Sequence, residues 1–204
     1  MTSIDQGVRA SWERIDAWLR DRCYRTPVRA SAAEDQERLR ALEAELGAAL
    51  PSDVRDWWIL EGVSADYWIP GTFAPVGLEE ALETREIWWQ VAEEEGVSFD
   101  ANGDPEPRFL PSFLPIAMSP GGDGLIVDLR PGDSCGAVLL WDHEMWVLGV
   151  PLWDSVTSML QDTAAALESG SPALLRHAAL GGTEKARVAL VDDAGDLVWE
   201  AADR

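Results

Sequence analysis

The first third of the chain carries apolar residues at helical spacing, which predicts three successive helices. In the first helix one face collects Val8, Trp12, Ile15, Leu19 and Cys23. The second is predicted to begin at a capping box over residues 31–34 and to end at Gly47, a residue suited to a left-handed C-cap. The third is predicted to have Ser52 as its N-cap and to end at Gly62.

The centre of the chain changes from an aromatic loop to a long helix. Residues 67–73 combine aromatic side chains with Pro70 and Gly71, which predicts a loop or a short strand. Beyond Gly77, apolar residues at helical spacing predict a helix over residues 78–95. Residues 100–108 have no periodicity and are expected to form an exposed, mobile loop.

Short apolar runs in the second half predict β-strands. Residues 125–129 and 137–141 are separated by a turn-forming RPGDS segment, which favours an antiparallel pair. The run at 113–117 is shorter, and its Pro115 predicts an edge position or a strand start. Residues 146–148 are expected to add a further strand.

The last elements complete an α+β pattern. A closing helix is predicted to end at Gly170, and residues 186–190 and 197–199 are predicted to form a terminal hairpin. Helices and strands are segregated along the chain, so we expect an antiparallel sheet of about four or more strands packed against flanking helices. The predicted organisation is a helical extension (1–30), a central domain (31–170) and a C-terminal extension (171–204).

Composition adds a strong negative charge to this picture. The chain has 37 acidic and 16 basic residues, which gives a net charge of −21. Such a charge repels nucleic-acid phosphates and anionic membranes and attracts cationic proteins, so we expect a basic protein partner; solubility alone is the alternative explanation. Between residues 79 and 106, ten acids accompany Arg85 alone, so this segment carries −9.

The termini and cysteines predict a cytoplasmic protein. The N-terminus lacks the basic and apolar regions of a signal peptide, and no apolar run approaches the ~18 residues of a membrane span. Cys23 and Cys135 lack metal-site or disulfide spacing, so we expect two free, buried thiols.

Few residues suit catalysis. The histidines are His143 and His177, and the chain contains neither an HExxH nor a GxSxG motif nor a P-loop. Around the turn Asp142-His143-Glu144, adjacent side chains are expected to diverge and not to converge on one metal ion. The glycine-rich residues 120–124 precede an apolar strand without a nearby lysine, which favours a hairpin turn over a phosphate cradle. We therefore expect no catalytic residues, no cofactor and no metal.

Aromatic residues beside acids are the candidates for partner contact. These candidate residues are Tyr67, Trp68, Trp88, Trp89, Glu93, Glu94 and Glu95. Because successive helical residues point about 100° apart, Trp88 and Trp89 cannot both face one core stripe, so one of them is expected to be exposed or partly exposed as an interface anchor. The alternative is that both wedge between helix and sheet. Three glutamates at a helix C-terminus oppose the helix dipole, which favours a functional role for their charge over simple solvation.

Four short blocks in a fixed order resemble a known family. The first is the pattern L-x3-LG-x2-LPSD-x3-WW-x2-EG between Leu42 and Gly62. The second is LPIA from Leu114 with GDG at 122–124, the third covers 136–144, and the last is the closing helix. Together, over about residues 35–168, they resemble the SUKH superfamily and its Smi/Knr group, named for fungal regulators of cell-wall glucan synthesis.

The resemblance implies a compact α+β fold with a non-enzymatic binding role. Bacterial members of the superfamily are commonly immunity proteins that neutralise toxins, and fungal members look like signalling or scaffold proteins. The first hypothesis is therefore a bacterial immunity protein whose acidic surface occludes a basic toxin domain. The alternative is a regulatory or scaffold protein with no toxin partner, and an unrecognised hydrolase is the third.

Overall fold

The computed structural model describes residues 6–23, 32–60, 63, 66–96, 98–99, 105–106, 109–144 and 149–202. The helices are α1 (Gln6–Arg22), α2 (Ala32–Leu46), α3 (Ser52–Ile59), α4 (Leu78–Glu95), α5 (Val156–Ser169) and α6 (Leu175–Ala179). The strands are β1 (Ala74–Pro75), β2 (Ser98–Phe99), β3 (Pro105–Glu106), β4 (Phe113–Met118), β5 (Gly124–Asp128), β6 (Val138–Trp141), β7 (Arg187–Val191) and β8 (Leu197–Ala201). The predicted α+β class is confirmed. No helix in these ranges is both long and apolar enough to cross a membrane.

The central sheet is antiparallel in the order β1-β4-β5-β6. The expected β5–β6 pair is present, with Ile126 opposite Leu139. β4 is not an edge strand, because it lies between β1 and β5. Pro115 itself pairs only with Ile126 of β5, however, because the β1 register is limited to Ala117 and Met118. The β4–β5 register shifts between Pro115 and Ala117, and such a bulge tolerates a proline that lacks an amide hydrogen.

Both faces of this sheet are covered, which explains why its strands are apolar without alternation. On one face, Leu125 and Val127 of β5 join a core shared with α1, α3 and α5. On the other face, Ile126 joins a smaller cluster with Trp141, against which Trp88 of α4 packs. The sheet is thus the middle layer of the fold.

Both terminal segments join the larger core. The buried face of α1 contains Val8, Trp12, Ile15 and Leu19, and it packs against α5. The Trp12 and Trp68 ring centroids lie 5.3 Å apart. From β8, the indole Nε1 of Trp199 donates a hydrogen bond of 3.2 Å to the Trp68 carbonyl. The segments before and after the central domain therefore bury aromatic side chains in one common interior.

The C-terminal ends of α2 and α5 follow the predicted chemistry, and both ends of α3 depart from it. Gly47 (φ 65°) and Gly170 (φ 69°) end α2 and α5 in the left-handed region, as expected. Ser52 is the first residue of α3, and Pro51 occupies the N-cap position, so the predicted cap was wrong by one residue. The prediction that the third helix continues to Gly62 is wrong, because α3 ends at Ile59 with Leu60 as its C-cap. Within the predicted loop 100–108, residues 105–106 instead form β3, paired with β2. The predictions for Ser31, residues 146–148 and the rest of 100–108 lie outside the described residues.

The cysteines are free, but the prediction that they are buried is wrong. Cys135 is exposed on the β5–β6 connection, and Cys23 is half-buried just beyond α1. The apolar spacing of α1 correctly puts Cys23 on its inner face, whereas an isolated loop residue such as Cys135 carries no such signal.

Candidate protein-binding surface

Helix α4 is seated on the sheet by its tryptophans. Trp88 packs edge-on against Phe109 at 5.4 Å between ring centroids and lies 6.1 Å from Trp141. Trp89 packs against the same cluster. Both indoles are partly buried between helix and sheet, so neither stands free on the surface.

The close approach of Trp88 depends on a glycine. A Cβ atom added to Gly124 would lie 2.6 Å from Cη2 of Trp88 and 3.0 Å from its Cζ3. Side chains do not approach one another so closely, so only glycine fits here without displacing the indole. The glycine-rich loop therefore has a packing function in addition to its turn, where Gly122 adopts φ 99°.

The aromatic loop divides between core and surface. Trp68 has 0% of its surface exposed, so the structure corrects its place in the candidate surface: it is a core residue. Tyr67 is 43% exposed and remains available to a partner. The sequence could not separate them, because adjacent aromatic residues in a loop carry no periodicity.

The outer side of α4 presents apolar residues that the sequence analysis missed. Ile87 is 58% exposed and Val91 is 37% exposed, although both are large aliphatic side chains. They lie one helical turn apart and therefore side by side on the helix surface. Helical spacing already contained this signal, because both residues lie on the side of the helix opposite the buried Leu78.

Acidic side chains surround this apolar pair. Helical geometry places Glu80, Glu83 and Glu94 on the same side of α4 as Ile87 and Val91; we call these five residues the acidic face of α4. All five are exposed. The predicted Glu93, Glu94 and Glu95 are also exposed at the helix end, with Glu94 nearest the centre of the face.

The one base of α4 leaves this charge uncompensated because it points inward. Arg85 is 4% exposed. Its Nε donates to the carbonyl of Pro111 at 2.7 Å and its Nη2 to Glu45 at 2.7 Å. Arg85 thus ties α4 to α2 and to the segment before β4, and the outer surface of the helix keeps its negative charge.

A second polar cluster forms where the β4–β5 loop meets the segment after β6. His143 Nδ1 lies 2.8 Å from Asp123 Oδ1, and its backbone amide donates to the same oxygen at 3.3 Å. This contact raises the pKa of His143, chiefly through the hydrogen bond to Asp123 and further through the charges of Asp123, Glu144 and Asp142. The cluster joins two loops that are 20 residues apart in sequence.

This cluster corrects the expectation that side chains around the turn diverge. One ligand atom from each of Asp123, Asp142 and His143 lies within 4.8 Å of the others, close enough to share a metal ion. The convergence depends on Asp123, which lies 20 residues before His143 in sequence and comes close to it only in the folded chain. The prediction that no metal is bound stays a prediction.

A helix-flanked antiparallel sheet with an acidic helix on one side defines a small α+β domain. Residues 34–162 match the model of the SMI1 / KNR4 family (SUKH-1), which is more than half of the chain. The chain therefore belongs to this family, as its motifs predicted. It is also 27% identical over 164 residues to the cell wall biosynthesis/cell cycle regulator smi1 of Schizosaccharomyces pombe, covering 70% of this chain. The match spans about a third (32%) of that relative's length.

Proposed function

We propose that this chain is a non-enzymatic binding domain that docks a basic protein on the acidic face of α4. The observation that supports this most directly is the exposure of Ile87 (58%) and Val91 (37%) among glutamates. Apolar side chains at the centre of a charged rim have the arrangement of an interface, in which the centre excludes water and the rim remains polar.

Charge and apolar surface would act at different stages of binding. The glutamates around Ile87 attract a positively charged surface and speed its diffusional encounter with this helix. Once the partner is seated, burial of Ile87 and Val91 removes apolar surface from water and slows dissociation. The negative charge thereby sets the class of partner, and the aliphatic pair sets the lifetime of the complex.

The first candidate for this partner is a basic toxin domain, with the chain acting as an immunity protein in a bacterium. Resemblance to SUKH immunity proteins supports this proposal, because occlusion of a basic substrate-binding surface requires an acidic face. The second candidate function is a regulatory or scaffold role without a toxin. Similarity to a cell wall biosynthesis/cell cycle regulator favours it.

Co-expression with a basic C-terminal domain encoded by a neighbouring gene tests the immunity proposal. The wild-type chain should restore growth and form a complex that co-purifies with the toxin domain. The double variant Ile87→Ser/Val91→Ser should bind at least roughly tenfold more weakly, the loss expected when a central apolar anchor of an interface is truncated. Absence of both rescue and complex would contradict the immunity role.

A matched control comes from the C-terminal segment. Leu175 and Leu180 are 55% and 59% exposed, so Leu175→Ser/Leu180→Ser removes comparable apolar surface away from α4. This variant should bind like the wild type. Equal loss in both double variants would argue against the acidic face of α4 as the docking surface.

Ionic strength tests the electrostatic step separately. Exposed charges are screened over ~10 Å at 0.1 M salt, so the association rate should fall markedly as salt is raised, with a smaller change in dissociation. An association rate indifferent to salt would contradict steering by the glutamates.

A further inference from the structure

A cleft of about 280 Å³ lies where three separate parts of the chain meet. The end of α1 contributes Cys23, the loop before β1 contributes Asp66 and Tyr67, and the β7–β8 turn contributes Asp196. Ligand pockets for drug-sized molecules usually measure about 300–1,000 Å³, so this cleft has the size for one side chain or another small group.

The cleft has an apolar base and a polar mouth. At its base, Leu19 is 2% exposed and Trp68 is 0% exposed. Trp68 is held in place because its carbonyl accepts a hydrogen bond from Trp199. At the mouth, Tyr67 is 43% exposed and Asp196 is exposed. A long side chain with methylene groups and a charged end would match both zones.

The charge of the cleft is negative. Burial raises the pKa of the Cys23 thiol, and the carboxylates of Asp196, Asp66 and Asp192 raise it further, against a lowering by Arg22. Burial disfavours any charge in the cleft, whereas the carboxylates disfavour only a negative one. The carboxylates, and not the burial, would therefore favour a cation placed here.

The nearby charged groups are not equally available. Asp192 accepts hydrogen bonds from the amides of Ala194 and Asp196, so it holds the turn. Arg22 stacks over Trp18, with its guanidinium carbon 5.0 Å from the ring centroid. The carboxylate of Asp196 has no hydrogen-bond or ion-pair partner within the described part of the chain.

We propose that this cleft binds the guanidinium group of an arginine side chain that a partner protein presents. The carboxylate of Asp196 at the mouth matches a guanidinium group, which donates several hydrogen bonds in one plane. The aromatic ring of Tyr67 favours guanidinium over ammonium, because the planar and weakly hydrated group can stack on it. The aliphatic part of arginine would lie on the apolar base.

This inference does not rest on the acidic face of α4, because the cleft includes no residue of that helix. The cleft can bind a guanidinium group whether or not the helix docks a basic protein. The two proposals therefore fail separately in experiment.

Alkylation of Cys23 reports occupancy of the cleft directly. In a Cys135→Ser background Cys23 is the single thiol of the chain, and its reaction rate with iodoacetamide at fixed pH is measured by mass spectrometry. L-argininamide should slow the reaction saturably, whereas L-citrullinamide, whose side chain is an uncharged isostere of arginine, should not. L-lysinamide should protect less than L-argininamide at equal concentration.

Two substitutions in the same turn provide a matched pair. Asp196→Asn should weaken protection by roughly fivefold, the size of one partly exposed charged contact. Asp193→Asn removes the same charge from an exposed position that does not line the cleft, and it should leave protection unchanged. Protection is expressed as a ratio within each variant, because Asp196→Asn also lowers the pKa of Cys23 and speeds its basal reaction.

A blocked peptide, acetyl-Gly-Arg-Gly-amide, distinguishes an arginine within a protein chain from a free arginine derivative as the source of the guanidinium group. Protection by this peptide supports an arginine within a protein; protection by L-argininamide alone overturns that part of the proposal. Equal protection by the citrulline or lysine compound overturns the guanidinium assignment. No protection by any compound, or equal loss in both aspartate variants, overturns the cleft as a binding site.

Discussion

Replacement of Gly124 by alanine should destabilise the fold, because the added methyl group would meet the indole of Trp88. Its distance of 2.6 Å to Cη2 would be about an ångström shorter than a normal contact between carbon atoms. The indole cannot retreat easily, since Phe109 and Trp141 pack against it at 5.4 and 6.1 Å. Either β5 or α4 must therefore shift.

The magnitude follows from two opposing effects. Overpacking of a well-packed interior costs typically about 1–3 kcal/mol. Replacing glycine by alanine also reduces the entropy of the unfolded chain, which stabilises by about 0.4–1 kcal/mol at an unstrained position. The net effect of Gly124→Ala should be a loss of about 1–2 kcal/mol, which for about 200 residues corresponds to roughly 2–8 °C in Tm.

Urea unfolding followed by far- and near-UV circular dichroism measures this loss. Gly121→Ala is the matched control from the same loop, because its Cβ would meet Ser119 Oγ at 3.6 Å, an ordinary contact. The control should be neutral or slightly stabilising. The near-UV signal of tryptophan should change in Gly124→Ala and not in the control.

A double-mutant cycle identifies the cause. Trp88→Leu removes the ring atoms that the new methyl group would meet, so Gly124→Ala should cost less in that background, with a coupling of about 1 kcal/mol or more. Equal stability of Gly124→Ala and Gly121→Ala would refute the packing argument. A cost that is the same with and without the indole would also refute it.

Three further predictions concern polar contacts. Arg85→Met should lower the free energy of unfolding, measured in urea, by about 1.5–3 kcal/mol, because it removes charged hydrogen bonds of a buried group. Glu45→Gln, at the exposed partner of Arg85, should lower it by less than about 1 kcal/mol. Because the pKa of His143 is raised in the folded state, its pair with Asp123 stabilises the fold fully below about pH 6.5. This stabilisation is lost as the pH rises through the raised pKa. In Asp123→Asn, the pKa of His143 measured by NMR should fall toward about 6.5. Trp199→Phe should lower the free energy of unfolding by about 1–3 kcal/mol, because it leaves the buried carbonyl of Trp68 without its hydrogen-bond donor.

Each of these predictions has a clear contrary result. Equal costs for Arg85→Met and Glu45→Gln would mean that the exposed ion pair, and not the buried bond to the carbonyl, carries the interaction. An unchanged pKa of His143 in Asp123→Asn would show that the loop contact does not control its protonation. If Trp199→Phe unfolded with the same urea midpoint as the wild type, the indole hydrogen bond would contribute nothing to the attachment of β8.

Features that local sequence determines were predictable. Gly77 marks the start of α4 and Gly170 marks the end of α5. Both were predictable because a helix end depends on residues within one turn of it. The interior position of β4 was not predictable, since its neighbour β1 has two residues and no strand pattern. The contact of Asp123 with His143 likewise joins loops whose distance in space no local pattern contains.

Helix α4 separates stability from binding, because its two sides use different residues. Its inner side is fixed by Trp88 against Gly124 and by the buried Arg85, whereas Ile87 and Val91 are exposed on its outer side. Substitutions of the outer pair should therefore change unfolding free energy by no more than about 0.5 kcal/mol, as is usual at exposed positions. Loss of partner binding in Ile87→Ser/Val91→Ser with an unchanged Tm would then reflect the surface itself. A matching fall in Tm would instead place these side chains among the residues that hold the helix on the sheet.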